Sequence, residues 1–197
     1  MEQNTKAQIA ITGGIGSGKS TIAKMVQIMG HPVFYADIEA KKIIDSDPET
    51  KSQLISLFGK DIYDTNGKLN RQELAKIIFN NNNAKEKVNA IVHPAVWDKF
   101  CEWSKGFKCS AVFMESAILH ECGWADRFDK IICVTANLET RIKRTMERDN
   151  CSREQVVARI KNQLSDEEKI SKSHYVIYTN DNCSELEQLL KTLEKIL

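Results

Sequence analysis

The sequence predicts an α/β fold on a parallel five-stranded sheet. Three observations carry this: short apolar runs of buried-strand character, helical patterns between them, and a glycine cluster directly after the first run. Strands covered on both faces by crossover helices read as continuous apolar runs rather than as alternation. Ala7–Thr12 is the first such run, and it stops at Gly13-Gly14. Pro32–Ala36, Ser110–Met114, Lys130–Thr135 and His174–Tyr178 are the others.

Helices fill the intervals. The first is expected from Thr21 to Met29. From Ile38 to about Ser104 no strand is apparent, only helical segments at Lys51–Phe58, Arg71–Phe79 and Ala84–Phe100. The last should bend at His93-Pro94, because proline lacks the amide donor and crowds the preceding turn. This stretch, about 38–104, reads as a helical insertion between strands two and three. A second helical, highly charged stretch from Leu138 to Lys172 reads as a lid. Asn70 with Glu73, Ser152 with Gln155 and Ser184 with Glu187 have capping-box spacing at helix starts. In the final helix Leu186, Leu189, Leu190, Leu193, Ile196 and Leu197 make one apolar stripe. With no internal repeat or linker, residues 1–197 read as a single domain carrying the insertion and the lid.

Composition narrows the function classes. The 197 residues carry 28 Lys+Arg against 27 Asp+Glu, a net charge of +1, and are 42% hydrophobic. Such a chain folds without disulfide or metal staples. Its balanced charge offers no field for nucleic acid or an anionic membrane, so neither is expected as a partner. No apolar run reaches the roughly 20 residues of a membrane span. The start, Met1 to Lys6, lacks the basic-then-apolar build of a signal peptide. A cytoplasmic monomer is expected. Six cysteines (Cys101, Cys109, Cys122, Cys133, Cys151 and Cys183) form no C-x-x-C pair and read as reduced thiols. Four histidines make no zinc pattern.

The glycine cluster is the strongest chemical signal. Gly13-Gly14-Ile15-Gly16-Ser17-Gly18-Lys19-Ser20-Thr21 fits G-x-x-x-x-G-K-[ST], after a strand and before a helix as that motif requires. The glycines let successive N–H groups turn toward phosphate oxygens, and the helix N-terminus adds partial positive charge. Gly14 through Thr21 are therefore expected to bind ATP, with Lys19 on the β- and γ-phosphates and the Ser20 hydroxyl on Mg²⁺. A guanine-reading Asn-Lys-x-Asp is lacking, and Asp64-Thr65-Asn66-Gly67 lies in a polar turn rather than after a buried strand. That turn imitates a calcium loop, but Ile62 holds the first ligand position.

Asp37 closes the second run and so lies at the carboxyl edge of the sheet, where open α/β folds bind ligands. A carboxylate there serves either as base to an attacking hydroxyl or as cap of the next helix. Arg141, Arg144 and Arg148 share one helical face, as a clamp on phosphates or as a solvated face in which Glu139 and Glu147 pair with Arg141. Glu115 ends the third run, either as a partner for Mg²⁺ or as a surface carboxylate.

Ile11 through Thr21, Ala36-Asp37, Asn66 through Arg71, Ile78-Phe79, His93-Pro94, Arg144 through Asp149, Gln163, Val176-Ile177 and Asn180 form an ordered set over nearly the whole chain. In this the chain resembles the dephospho-CoA kinase family. The resemblance implies a P-loop kinase fold with a helical substrate-binding insertion and a helical lid, and ATP-dependent phosphorylation of the ribose 3′-hydroxyl of dephospho-CoA. It makes Asp37 the general base and Lys19 its catalytic companion. It places Arg71 and His93 with the acceptor and Arg144 and Arg148 with ATP. Arg141 matches no family position. After the third run the family's Glu-x-Pro-Leu-Leu-Phe-Glu is replaced by Glu115-Ser116-Ala117-Ile118-Leu119-His120-Glu121, without proline and with His for Phe. The alternatives are another nucleoside monophosphate or small-molecule kinase of this architecture, and a nucleotide-sensing regulator that would need no base at position 37.

Overall fold

The five expected strands form one sheet in the order β2-β3-β1-β4-β5, every neighbouring pair parallel. They are β1 (Ala7–Thr12), β2 (Val33–Tyr35), β3 (Ala111–Glu115), β4 (Lys130–Thr135) and β5 (Tyr175–Tyr178). The computed structural model describes residues 6–79, 81–180 and 184–197, and of residues 78, 79 and 82 the backbone only. The helices are α1 (Lys19–Ile28), α2 (Ala36–Ser46), α3 (Pro48–Phe58), α4 (Arg71–Phe79), α5 (Asn82–Lys105), α6 (Leu138–Asp149), α7 (Arg153–Lys161), α8 (Asp166–Ser171) and α9 (Glu185–Ile196).

The chain divides into two compact units, Met1–Tyr35 with Phe107–Leu197, and Ala36–Gly106. The first is the sheet unit. On one face Ile9, Ile11, Phe113, Ile132 and Val134 pack with Ile22, Ala23 and Val26 of α1 and Leu189 and Leu193 of α9. Residues of the opposite parity, Ala10, Val112, Met114, Ile131 and Cys133, are buried as well. Side chains alternate across a strand, so burial of both parities means that both faces are covered. The described cysteines form no disulfide, burial pushes the Cys133 thiol up to about 11, and Cys183 lies outside the described residues.

The final helix corrects the expected stripe. Leu189 and Leu193 are buried, whereas Leu186 and Leu190 are 48% and 46% exposed and Leu197 is exposed too. The stripe is wider than the surface the sheet offers, so only its centre is covered.

The second unit is helical. Leu54, Ile62, Leu69 and Leu74 form its core, flanked by Ile44, Phe58, Tyr63, Val88 and Ile91. α5 packs against α2, α3 and α4. It is assigned as helix without interruption from Asn82 to Lys105, longer than expected, with Pro94 inside it. Three helix starts carry the expected caps: Asn70 accepts from the Glu73 N–H, Ser184 accepts from the Glu187 N–H, and Ser152 with Gln155 makes the full reciprocal box.

Candidate active site

The site starts where β1 ends. Gly13 through Gly18 turn the chain into α1, which no side chain caps, a helix start suited to an anion. Gly16 has φ +76° and an added Cβ would stand 2.3 Å from the Arg141 carbonyl oxygen, so only glycine fits. Glu115, at the end of β3 and 4% exposed, accepts a hydrogen bond from the Ser20 hydroxyl at 3.1 Å and pairs with Lys19 Nζ at 3.5 Å. It is therefore not a surface carboxylate. One buried oxygen gathers the two groups that the motif assigns to phosphate and metal.

A cavity of about 210 Å³ is lined by Gly16 through Thr21, Arg144 and Arg148. Gly14 and Ile15 do not line it. Ile15 instead donates its N–H to Gln163 Oε1 at 3.0 Å, and its carbonyl accepts from Arg141 Nε at 2.9 Å. The expectation that Gly14 and Ile15 contribute to the cradle thus meets a structure in which the Ile15 amide is already engaged.

The three arginines of α6 have different surroundings. Arg141 is buried and paired with Asp166, and Glu139 pairs with Arg153, so the solvated-face reading of Arg141 is overturned. Arg144 donates to the Thr179 hydroxyl at 2.9 Å and to its carbonyl at 2.6 Å, while the Thr179 hydroxyl donates to the Ser17 carbonyl at 2.7 Å. The end of β5 thereby ties Arg144 to the phosphate loop. Arg148 is exposed and pairs with Asp149, which also holds Arg159.

The 115–121 segment is held by its own polar groups. Ser116 Oγ accepts from the Ile118 N–H. Lys169, fully buried in α8, donates to the Ala117 carbonyl and to Glu121, both at 2.8 Å. Burial alone pushes the Glu121 carboxyl up, but hydrogen bonds from Lys169 and the Leu164 N–H outweigh it and hold it below the usual carboxylate range.

In the helical unit Asp37 is not a strand end. β2 stops at Tyr35, and Asp37 is an exposed residue in the first turn of α2, where a carboxylate suits the helix dipole. Arg71 pairs with Asp45 at 3.2 Å, and Asp45 also accepts from the Leu69 N–H. Tyr63 beside them donates to the Ile44 carbonyl, and burial followed by the Asp45 charge pushes its hydroxyl up to about 12. His93 is half-buried, and burial pulls its pKa below the ordinary value. A cavity of about 550 Å³ in this unit is lined by Ile43, Asp47, Thr50, Ile91, Pro94 and Lys99 among others, but neither Arg71 nor His93 lines it.

Comparison with known proteins decides the family. The dephospho-CoA kinase family model matches residues 7–185. The chain belongs to the dephospho-CoA kinase family. A dephospho-CoA kinase of Bacteroides fragilis is 41% identical over 94% of this chain and 91% of its own length. The solved structure of dephospho-CoA kinase from Campylobacter jejuni matches 98% of both chains at 30% identity, with a TM-score of 0.69. A Thermus thermophilus structure matches 98% of both at 33% identity, with a TM-score of 0.87.

Family membership accounts for the phosphate loop and the five parallel strands, while several residues of this dephospho-CoA kinase family member had no signal in the sequence. Asp166, Thr179 and Lys169 look like ordinary surface-helix and strand-end residues, and only folding brings them to Arg141, the loop and the 115–121 segment respectively. Ser165 with Glu168 has the spacing of a capping box and forms one, a signal legible in the sequence.

Proposed function

We propose that the protein transfers the γ-phosphoryl group of ATP to the ribose 3′-hydroxyl of dephospho-CoA, giving coenzyme A and ADP. The observation that carries this is the uncapped start of α1 with Lys19 and Ser20 both gathered on Glu115. The backbone donors and Lys19 take the β- and γ-phosphates, and Arg144 and Arg148 at the cavity rim offset the charge that spreads over the transferring group. The bond from the γ-phosphorus to the bridging oxygen breaks, and one from that phosphorus to the ribose oxygen forms. Asp37 takes the hydroxyl proton. It follows Tyr35, the register partner of Glu115, by two residues.

A hydroxyl and a carboxylate oxygen are the hard donors that Mg²⁺ takes, so Ser20 and Glu115 fit that ion. When bound, it would neutralise phosphate charge. Arg71 and His93 of the helical unit serve the acceptor, and the guanidinium fork suits its pyrophosphate. The 138–172 stretch, carrying Arg144 and Arg148, acts as the lid.

The test is ADP release with ATP and Mg²⁺ against dephospho-CoA, nucleoside monophosphates and small alcohols. Turnover should require dephospho-CoA. Comparable turnover on a nucleoside monophosphate would replace this acceptor by another.

A further inference from the structure

Both polar groups of one loop residue are held from outside the loop, by side chains of the same sheet unit. Ile15 gives its N–H to Gln163 and its carbonyl to Arg141. Arg141 is 2% exposed, a burial that arginine tolerates only when paired, and Asp166 supplies the partner. An added Cβ on Gly14 would stand 2.1 Å from Arg141 Nη2 and 2.6 Å from Cζ, and these are its nearest neighbours. Gly14 is not among the glycines of positive φ. Its backbone therefore accepts alanine; the guanidinium packed over it does not.

We propose that Arg141, locked by Asp166 and opposed by Gln163, is a positioning residue that sets the phosphate loop for ATP. The inference rests on the loop being the ATP site. A peptide unit is planar and trans, so a carbonyl turned toward Arg141 points the following N–H, that of Gly16, the opposite way. Gly16 lines the cavity together with Lys19 and Ser20. Holding the Ile15 N–H on Gln163 likewise turns the Gly14 carbonyl away, and there it accepts from the Ser17 N–H at 3.2 Å. Two consecutive peptide planes are thus fixed before nucleotide arrives, which is the preorganisation that electrostatic stabilisation requires. Neither the paired arginine nor the glutamine lines that cavity; both act through the Ile15 backbone.

Calorimetric titration of the whole chain with ATP, alongside steady-state kinetics, tests this. Arg141→Gln should raise Kd and KM for ATP about tenfold or more while leaving KM for dephospho-CoA within about twofold, and Arg141→Lys, lacking the fork, should recover only part. Gly14→Ala should weaken ATP about tenfold in the otherwise unchanged chain, yet add less than about twofold on top of Arg141→Gln, because the collision is gone. An unchanged ATP Kd in Arg141→Gln, or an equal cost of Gly14→Ala in both backgrounds, overturns the proposal. If Arg141→Gln fails to fold by circular dichroism, Gln163→Ala decides, since it disturbs no ion pair. A severalfold higher ATP Kd at an unchanged Tm supports the role, and a wild-type Kd overturns it. ATP binding is read without acceptor, so a chain that binds ATP but leaves dephospho-CoA untouched would defeat the functional reading and not this one.

Discussion

Ion pairs differ between the two units. In the sheet unit three pairs have a buried member, Lys19 with Glu115, Arg141 with Asp166, and Lys169, fully enclosed, with Glu121, while Arg148 with Asp149 and Arg153 with Glu139 are open. In the helical unit they are open, as in Lys76 with Glu73, whose side chains are 70% and 42% exposed, and Arg71 with Asp45. Buried pairs cost desolvation and persist where several further hydrogen bonds hold the charges in one geometry. Exposed pairs contribute about 0–1 kcal/mol and exchange readily with water or a ligand. The loop end is thus set in advance, while Arg71 can trade Asp45 for an incoming anion at small cost.

The largest expected effect tests the loop end. Lys19→Ala removes the side-chain charge that the loop itself brings to the cradle, and kcat/KM for ATP should fall on the order of 10³-fold or more with the fold retained. ADP release and circular dichroism check it, and near-normal turnover by a folded variant would take Lys19 out of the chemistry. Asp37→Asn, at the start of the helical unit, keeps shape but loses basicity. Its kcat should drop on the order of 10²- to 10⁴-fold with ATP affinity little changed. A lower Tm at unchanged kcat would instead make Asp37 a helix-start residue only.

The contrast in burial is sharpened by a matched pair of lysines. Lys169→Met strands Glu121 and the Ala117 carbonyl and should cost about 3 kcal/mol in urea unfolding. Lys76→Met, in an exposed i,i+3 pair, should cost less than about 0.5 kcal/mol. Equal costs would erase the difference between the units. The smallest expected effect lies on the acceptor side: Arg71→Ala should raise KM for dephospho-CoA roughly tenfold and leave KM for ATP unchanged, with Arg71→Lys rescuing partly. A parallel rise for both substrates would separate Arg71 from the acceptor.

Much of this was legible from local chemistry. Ala7–Thr12 and Lys130–Thr135 are strands to the residue, because an apolar β-leaning run ended by glycine or by a polar helix start leaves few other conformations. The phosphate loop was legible because its spacing is a backbone requirement carried entirely by neighbouring residues. Asp37 reads as a strand end and stands in a helix, a shift of two residues at a boundary where α2 begins directly after β2.

What the sequence by itself determined is the five strands, their parallel arrangement and the phosphate-loop motif, since each depends on periodicity or on a contiguous motif. What only the tertiary structure decided is the role of Arg141, Gln163, Lys169 and Thr179, which join segments between about 50 and 160 residues apart in the chain. An arginine on a charged helix looks the same in sequence whether it faces water or the Ile15 carbonyl. Only the packing of α6 against the loop removes the water and leaves the hydrogen bond as its best partner.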